Sequence, residues 1–184
     1  MSMARMPTVA LLSGGTATRL QPITKHIPKA MVEVAGEPFI AHQLRLLSRQ
    51  RIEKVVLCCG HLHDQIERFV GNGSRFGIEV VFSLDAPAPL GTGGALCHAR
   101  PLLGDEFLVM YGDSYLDLDF APVVAAFRGS DAAGLMTVFS NMNRWDTSNV
   151  LYRDGRILAH KKGHQRRKNA THRLRPQLLS RRSP

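Results

Sequence analysis

Two cations follow a glycine-rich turn near the amino end of this chain. The run Leu11-Leu12-Ser13-Gly14-Gly15-Thr16-Ala17-Thr18-Arg19-Leu20 continues the apolar stretch that starts at Val9, and Pro28-Lys29 comes shortly after. That order suits a nucleoside triphosphate. Glycines let backbone N–H groups approach phosphate oxygens closely, and fixed cations then offset the charge. A P-loop would need Gly-Lys-Ser/Thr directly after the turn. A dinucleotide fingerprint would need G-x-G-x-x-G, whereas Gly14 and Gly15 are adjacent and no third glycine follows in register. Two further segments carry chemistry. Met110-Tyr111-Gly112-Asp113 sets a carboxylate just past an apolar strand, and Leu90-Gly91-Thr92-Gly93-Gly94-Ala95 forms a second glycine-rich turn. An oxygen ligand such as Asp113 suits Mg²⁺, which takes one or two carboxylates together with substrate phosphates. Taken alone, Asp113 could equally be a turn or helix-capping aspartate.

The segments Gly14 to Thr24, Ile27-Pro28-Lys29-Ala30-Met31-Val32 and Val34-Ala35-Gly36-Glu37-Pro38-Phe39-Ile40 together resemble the signature of sugar-1-phosphate nucleotidyltransferases. That signature reads roughly G-G-x-G-T-R-L-x-P-L-T, then P-K-x-M, then V-x-G-x-P. Mannose-, heptose- and muramate-1-phosphate enzymes of bacteria are the most similar members. The resemblance implies an NTP and a sugar 1-phosphate as substrates, with Mg²⁺ as cofactor. It implies that Leu12, Ser13, Gly14, Gly15, Thr16, Ala17 and Thr18 meet the nucleotide. Arg19 would contact the triphosphate and Lys29 would act as the catalytic cation. Gly91, Thr92 and Gly93 would lie against base and ribose, and Asp113 would hold the metal. Asn149 and Lys162 match the sugar-side segments more loosely; as plain turn and surface residues they are explained equally well. Ala17 departs from the pattern, standing where the family has its third glycine.

The elements that would position these residues are legible. Strands are expected at 8–12, 54–59, 79–82, 106–111 and 134–139, and helices at 38–50, 63–70, 93–103 and 121–128. A hairpin is expected at 150–152 and 156–158 about Asp154-Gly155. Strands alternating with helices predict an α/β fold. The expected architecture is a mostly parallel central sheet with helices on both faces, Rossmann-like, and the resemblance narrows this to a GT-A-like fold. In such sheets ligands bind at the carboxyl ends of strands, where Gly14-Gly15 and Gly112-Asp113 both fall.

Composition bounds the remainder. The chain has 184 residues, 44% of them hydrophobic and 21% charged, enough for one domain with a core. No apolar run approaches the length of about 18 that suggests a membrane span, and no signal-peptide pattern opens the chain, so a cytoplasmic location without membrane contact is expected. Cys58, Cys59 and Cys97 form a sparse, odd set that suits reduced thiols. A zinc reading of Cys58-Cys59-Gly60-His61-Leu62-His63 is rejected, because adjacent strand residues face opposite ways and no second ligand pair follows. A homo-oligomer is compatible with all of this.

The net charge of +9 sits almost entirely at one end. Residues 163–184 carry seven basic residues and no acids, leaving 17 basic against 15 acidic in residues 1–162. The expected organisation is therefore an incomplete nucleotidyltransferase domain over 1–162 and a basic tail over 163–184, disordered or frameshifted. No aromatic residues interleave with the arginines, so nucleic-acid binding is not expected. The family continues at this point with an Ile-Asp-Tyr/Ala-Gly segment whose aspartate is a second metal ligand, and this chain lacks it. Back-translating Asn169 to Gln177 as AAT GCG ACA CAT CGA TTA CGG CCT CAG and slipping one base yields Met-Arg-His-Ile-Asp-Tyr-Gly-Leu. The alternatives are thus a transferase and an inactive nucleotide-binding remnant. Resequencing the coding DNA from codon 155 is expected to show one base gained or lost between codons 162 and 169; a clean read in the present frame refutes a reading error.

Overall fold

The computed structural model describes residues 5–15, 26–85, 88–140 and 150–160, and the backbone of 172–180. The first strand, β1 (Thr8–Leu12), has Val9, Ala10 and Leu11 wholly buried. Such a run has no polar alternation because both of its faces are covered. A two-residue ribbon follows, β2 (Glu33–Val34) and β3 (Glu37–Pro38), turning through Ala35 and Gly36 at φ of 51° and 83°. Helix α1 (Phe39–Arg49), strand β4 (Lys54–Cys59), helix α2 (His63–Val70) and strand β5 (Glu79–Leu84) come next. Then come helix α3 (Gly91–Leu103), strand β6 (Glu106–Tyr111), helix α4 (Phe120–Arg128) and strand β7 (Gly134–Phe139). A hairpin, β8 (Val150–Arg153) and β9 (Arg156–His160), turns at Asp154-Gly155 with both φ angles positive, as its sequence predicts.

Period-two alternation assigns the two faces of the sheet. Val9, Leu11, Val55, Leu57, Leu108 and Met110 pack on one side with Ile40, Leu44 and Leu47 of α1, Ile66 of α2 and Val124 of α4. Ala10, Val56, Cys58 and Val109 pack on the other side with Ala95, Ala99 and Leu103 of α3. The expected α/β architecture with helices on both faces is therefore present.

The sheet runs β5-β4-β1-β6-β10-β7, where β10 is His172–Ser180. Strands β5, β4, β1 and β6 are mutually parallel. Their register is level at the carboxyl end: Leu12 pairs across to Cys58 on one side and Tyr111 on the other, and Cys59 pairs with Leu84. The four loops that follow these strands consequently emerge along one edge.

Strand β10 falls within the stretch read from the sequence as a disordered or frameshifted tail. Its backbone lies antiparallel to both β6 and β7, filling the slot between them. Pro176 argues against a strand from sequence, since proline cannot donate to the ladder. The structure accommodates it at a register shift between Arg173 and Gln177. Two strand edges that would otherwise present unpaired N–H and C=O groups are what recruit the segment, and no local residue pattern announces that.

Helix α1 also fastens the connection after β6. The Gln43 amide donates to the Tyr111 carbonyl at 3.0 Å and to the Ser114 carbonyl at 2.8 Å. One helical stretch further, Gln50 donates to the Leu118 carbonyl at 3.0 Å and accepts from the Phe120 N–H at 3.1 Å. Gln43 is wholly buried, so its loss leaves two carbonyls without these donors. Gln43→Leu is expected to destabilise the fold by about 2–3 kcal/mol, read as a lowered Tm.

Candidate active site

Three rungs of backbone hydrogen bonding continue past the strand ends. Ser13 donates to the Cys58 carbonyl at 2.8 Å, Gly112 to the Leu12 carbonyl at 2.8 Å, and Asp85 to the Cys59 carbonyl at 2.7 Å. The first residues of the loops are thus held as firmly as strand residues. They border a cleft of about 410 Å³ at the carboxyl edge of the sheet. Leu12, Ser13, Gly14 and Gly15 line it. Gly91 and Thr92 at the start of α3 form one wall, and Lys29 with Asp113 the other.

Space requires glycine at Gly112 and is tight at Gly14. A Cβ on Gly112 would lie 2.4 Å from Ser13 Oγ and 2.9 Å from the Leu12 carbonyl oxygen. One on Gly14 would lie 3.2 Å from Asp85 Oδ2 and 3.5 Å from the Gly60 nitrogen. Gly91 meets nothing within 4 Å, and there the requirement is its φ of +68°, a left-handed conformation that favours glycine. Gly93 is constrained by neither.

Lys29 opens one turn of 3-10 helix, Lys29–Met31, whose Ala30 is buried and anchors it. Its Nζ donates to Asp113 Oδ2 at 2.9 Å, joining residues 84 positions apart. Both side chains are half-exposed. Asp113 Oδ1 lies 3.4 Å from the Ser114 hydroxyl. The capping role that Asp113 might have had belongs to Asp119, which accepts from the Ala121 N–H at the start of α4. Asp113 itself lies in the turn that follows β6, paired with Lys29.

The structure brings together Leu12, Ser13, Gly14, Gly15, Lys29, Gly91, Thr92 and Asp113 of the expected residues. Gly93 follows in the first turn of α3 but does not border the cleft. Thr16, Ala17, Thr18, Arg19, Asn149 and Lys162 lie outside the described residues.

Among the described residues no group of three His, Cys, Asp or Glu side chains gathers as a metal cluster. Cys58 and Cys59 pack into different core clusters on opposite faces of the sheet. Burial pushes both thiols up to about 12, with the Asp85 charge adding to the effect. A thiol so shifted stays protonated at neutral pH and is no nucleophile. No helix of the described residues is long and apolar enough to cross a membrane.

Two residues of the site were missed by sequence reasoning. Gln43 fixes the Tyr111–Ser114 turn from below, and an amide inside a helix carries no sequence signal for that. Asp85 lines the cleft beside Gly14. Its signal was present: like Asp113, it is a carboxylate just past an apolar strand, but the strand was expected to end at 82 rather than Leu84.

A family model described as nucleotidyl transferase matches residues 9–148. The chain belongs to that family. Similar proteins include N-acetylmuramate alpha-1-phosphate uridylyltransferase of Neisseria meningitidis serogroup B, 36% identical over 64% of this chain and 50% of the relative. The D-glycero-alpha-D-manno-heptose 1-phosphate guanylyltransferase of Aneurinibacillus thermoaerophilus is 30% identical over 82% of this chain and 65% of the relative. The chain thus spans half to two thirds of the length of these curated relatives. Among solved structures, HddC from Yersinia pseudotuberculosis complexed with GMP-PN superposes with a TM-score of 0.79 at 26% identity, over 96% of this chain and 77% of that one. The family's fold is the parallel, Rossmann-like sheet described above.

The nucleotidyltransferase cleft depends on the close approach at Gly112. Gly112→Ala is expected to push Asp113 away from Lys29 and to lower stability by about 1–3 kcal/mol, because the added methyl meets the backbone at Leu12 and Ser13 as well as the Ser13 hydroxyl. Thermal unfolding measures it, and an unchanged Tm would contradict the close approach.

Proposed function

We propose that this protein condenses an NTP with a sugar 1-phosphate, giving an NDP-sugar and pyrophosphate. The observation that carries the reading is the meeting of Lys29 and Asp113 at 2.9 Å on the rim of a glycine-lined cleft. A cation and a carboxylate from opposite ends of the domain meet where a phosphate chain and its counter-ion would lie. The family membership supports it.

The reaction is in-line attack by a sugar-phosphate oxygen on the α-phosphorus. A phosphate monoester has a second pKa of about 6, so the nucleophile is already an anion near neutral pH and no general base is needed. The protein's work is alignment and charge compensation. In the ligand-free protein Lys29 and Asp113 neutralise each other. When a triphosphate enters, Lys29 turns to the α-phosphate oxygens, where it compensates the charge that grows in the transition state. Asp113 is then left to hold a divalent ion, and the donor set fits: one carboxylate completed by phosphate oxygens is the usual arrangement for Mg²⁺. Bound there, Mg²⁺ supplies further charge neutralisation to the phosphates. The backbone at Ser13, Gly14 and Gly15 gives the nucleotide a floor without side-chain obstruction. Arg19 is assigned to the departing pyrophosphate, and Asn149 and Lys162 to the sugar phosphate. The substrates are those of the cytoplasm, which is the compartment we assign.

The test is pyrophosphate release from each NTP with a panel of sugar 1-phosphates. Lys29→Met is expected to lower kcat by about 10²–10³-fold while NTP binding persists. NTP binding by the parent chain without pyrophosphate release would favour the inactive remnant instead.

A further inference from the structure

The amino edge of the sheet carries a second cavity, which the proposed reaction does not use. Arg5 and Met6 lead into β1, and Arg51 and Glu53 lead into β4, so this cavity lies at the opposite edge of the sheet from Gly14 and Asp113. Its volume is about 670 Å³. We propose that it is a binding site for a phosphate monoester, with the phosphate held by Arg49 and Arg51 and the organic group laid against Met6 and Val124. The inference does not depend on the nucleotide reading of the cleft.

Charge selects an anion. The guanidinium groups of Arg5, Arg49, Arg51 and Arg128 border the cavity, against the carboxylates of Glu53 and Asp119. Both acids are occupied. Glu53 pairs with Arg5 at 2.7 Å, and Asp119 accepts from the Ala121 N–H at 3.0 Å as the cap of α4. Arg128 is taken by Glu106, which does not border the cavity. Among the described residues Arg49 meets a neutral partner, the Tyr115 hydroxyl at 3.0 Å, rather than a carboxylate. An anion therefore finds uncompensated positive charge here.

Backbone conformation singles out Arg51. Helix α1 closes with the Arg51 N–H on the Ser48 carbonyl at 2.9 Å and the Ile52 N–H on the Leu47 carbonyl at 3.1 Å. That closure sets Arg51 at a φ of 59°, in the left-handed region where glycine is usual after a helix. A basic residue near the carboxyl end of a helix suits the helix dipole, but Arg49 already supplies one in the last turn. An arginine held in a glycine conformation is strained, and strain of this kind gathers at ligand sites. What glycine would lack is the guanidinium that Arg51 brings to the cavity.

The ligand class follows from the two kinds of wall. Guanidinium forks match the oxygens of a phosphate dianion and bond to them in pairs. A bare phosphate would leave most of the volume unfilled and the apolar wall at Met6 and Val124 wet. Cavities of this size with an apolar wall and a few convergent polar groups suit small organic ligands. A phosphate monoester satisfies both walls at once.

Calorimetric titration of the full chain with phenyl phosphate and with inorganic phosphate tests this, at constant ionic strength and about pH 8, where the monoester is a dianion. Phenyl phosphate is expected to bind about tenfold more tightly than inorganic phosphate, because its ring covers apolar surface. Arg49→Gln is expected to weaken phenyl phosphate binding about tenfold, whereas Lys29→Met, in the other cleft, leaves it unchanged. Arg51→Gly separates binding from structure. It is expected to raise Tm by relieving the positive φ, yet to weaken phenyl phosphate binding about tenfold. Equal affinity for the two ligands would overturn the monoester class. Binding lost in Lys29→Met and kept in Arg49→Gln would put the ligand in the nucleotide cleft and overturn the site. A lowered Tm in Arg51→Gly would make Arg51 a structural residue and overturn its assignment. Absence of binding by the parent chain would refute the proposal outright. The two-ligand comparison needs no variant, so a poorly folded one leaves the proposal falsifiable.

Discussion

The level pairing of β1 with β4 on one side and β6 on the other is the constraint on which the site depends. Backbone hydrogen bonding is continued one residue beyond the strands at Ser13, Asp85 and Gly112, so the loop entrances inherit the rigidity of the sheet. A side chain placed on such a residue has little freedom to wander. The cost is steric: strands packed at their usual spacing leave no room for a Cβ at Gly112 and little at Gly14. Gly112 and Gly14 serve close backbone approach, whereas Gly91 serves a left-handed turn.

The charged pair of the cleft contributes little to folding. Lys29 and Asp113 form an ion pair, but both are half in solvent. Such pairs contribute about 0–1 kcal/mol, so the fold depends little on this one. The parts that must not move are neutral and buried. Gln43 and Gln50 of α1 hold the connection from β6 to α4 by hydrogen bonds to its backbone, and they keep Asp113 in place whether or not it is paired.

Much of the fold was legible. Strands β1, β4, β6 and β7 and helix α2 fall where their residues predict, and the Asp154-Gly155 turn follows from its dipeptide. These elements are short apolar runs or amphipathic stretches bounded by glycine, where local pattern and tertiary demand agree. Two elements were not read from the sequence. The β2–β3 ribbon is only two residues on each side and turns through an alanine at positive φ, against local preference. Strand β10 has no alternation and contains a proline. The ribbon pairs across its own short turn, whereas β10 is placed by strands far away in the chain.

For the site, the division is similar. Residue types and spacing were enough to single out Gly14-Gly15, Lys29, Gly91-Thr92 and Asp113, which all border one cleft, because charge and backbone freedom are properties each residue carries with it. What required the tertiary structure was adjacency. That Lys29 touches Asp113, that Gly112 is pressed against Leu12, and that Asp85 stands over Gly14 with an unpaired oxygen are consequences of strand order and register. Strand order is set by long-range pairing, and pairing of residues 84 apart leaves no trace in the local pattern around either one.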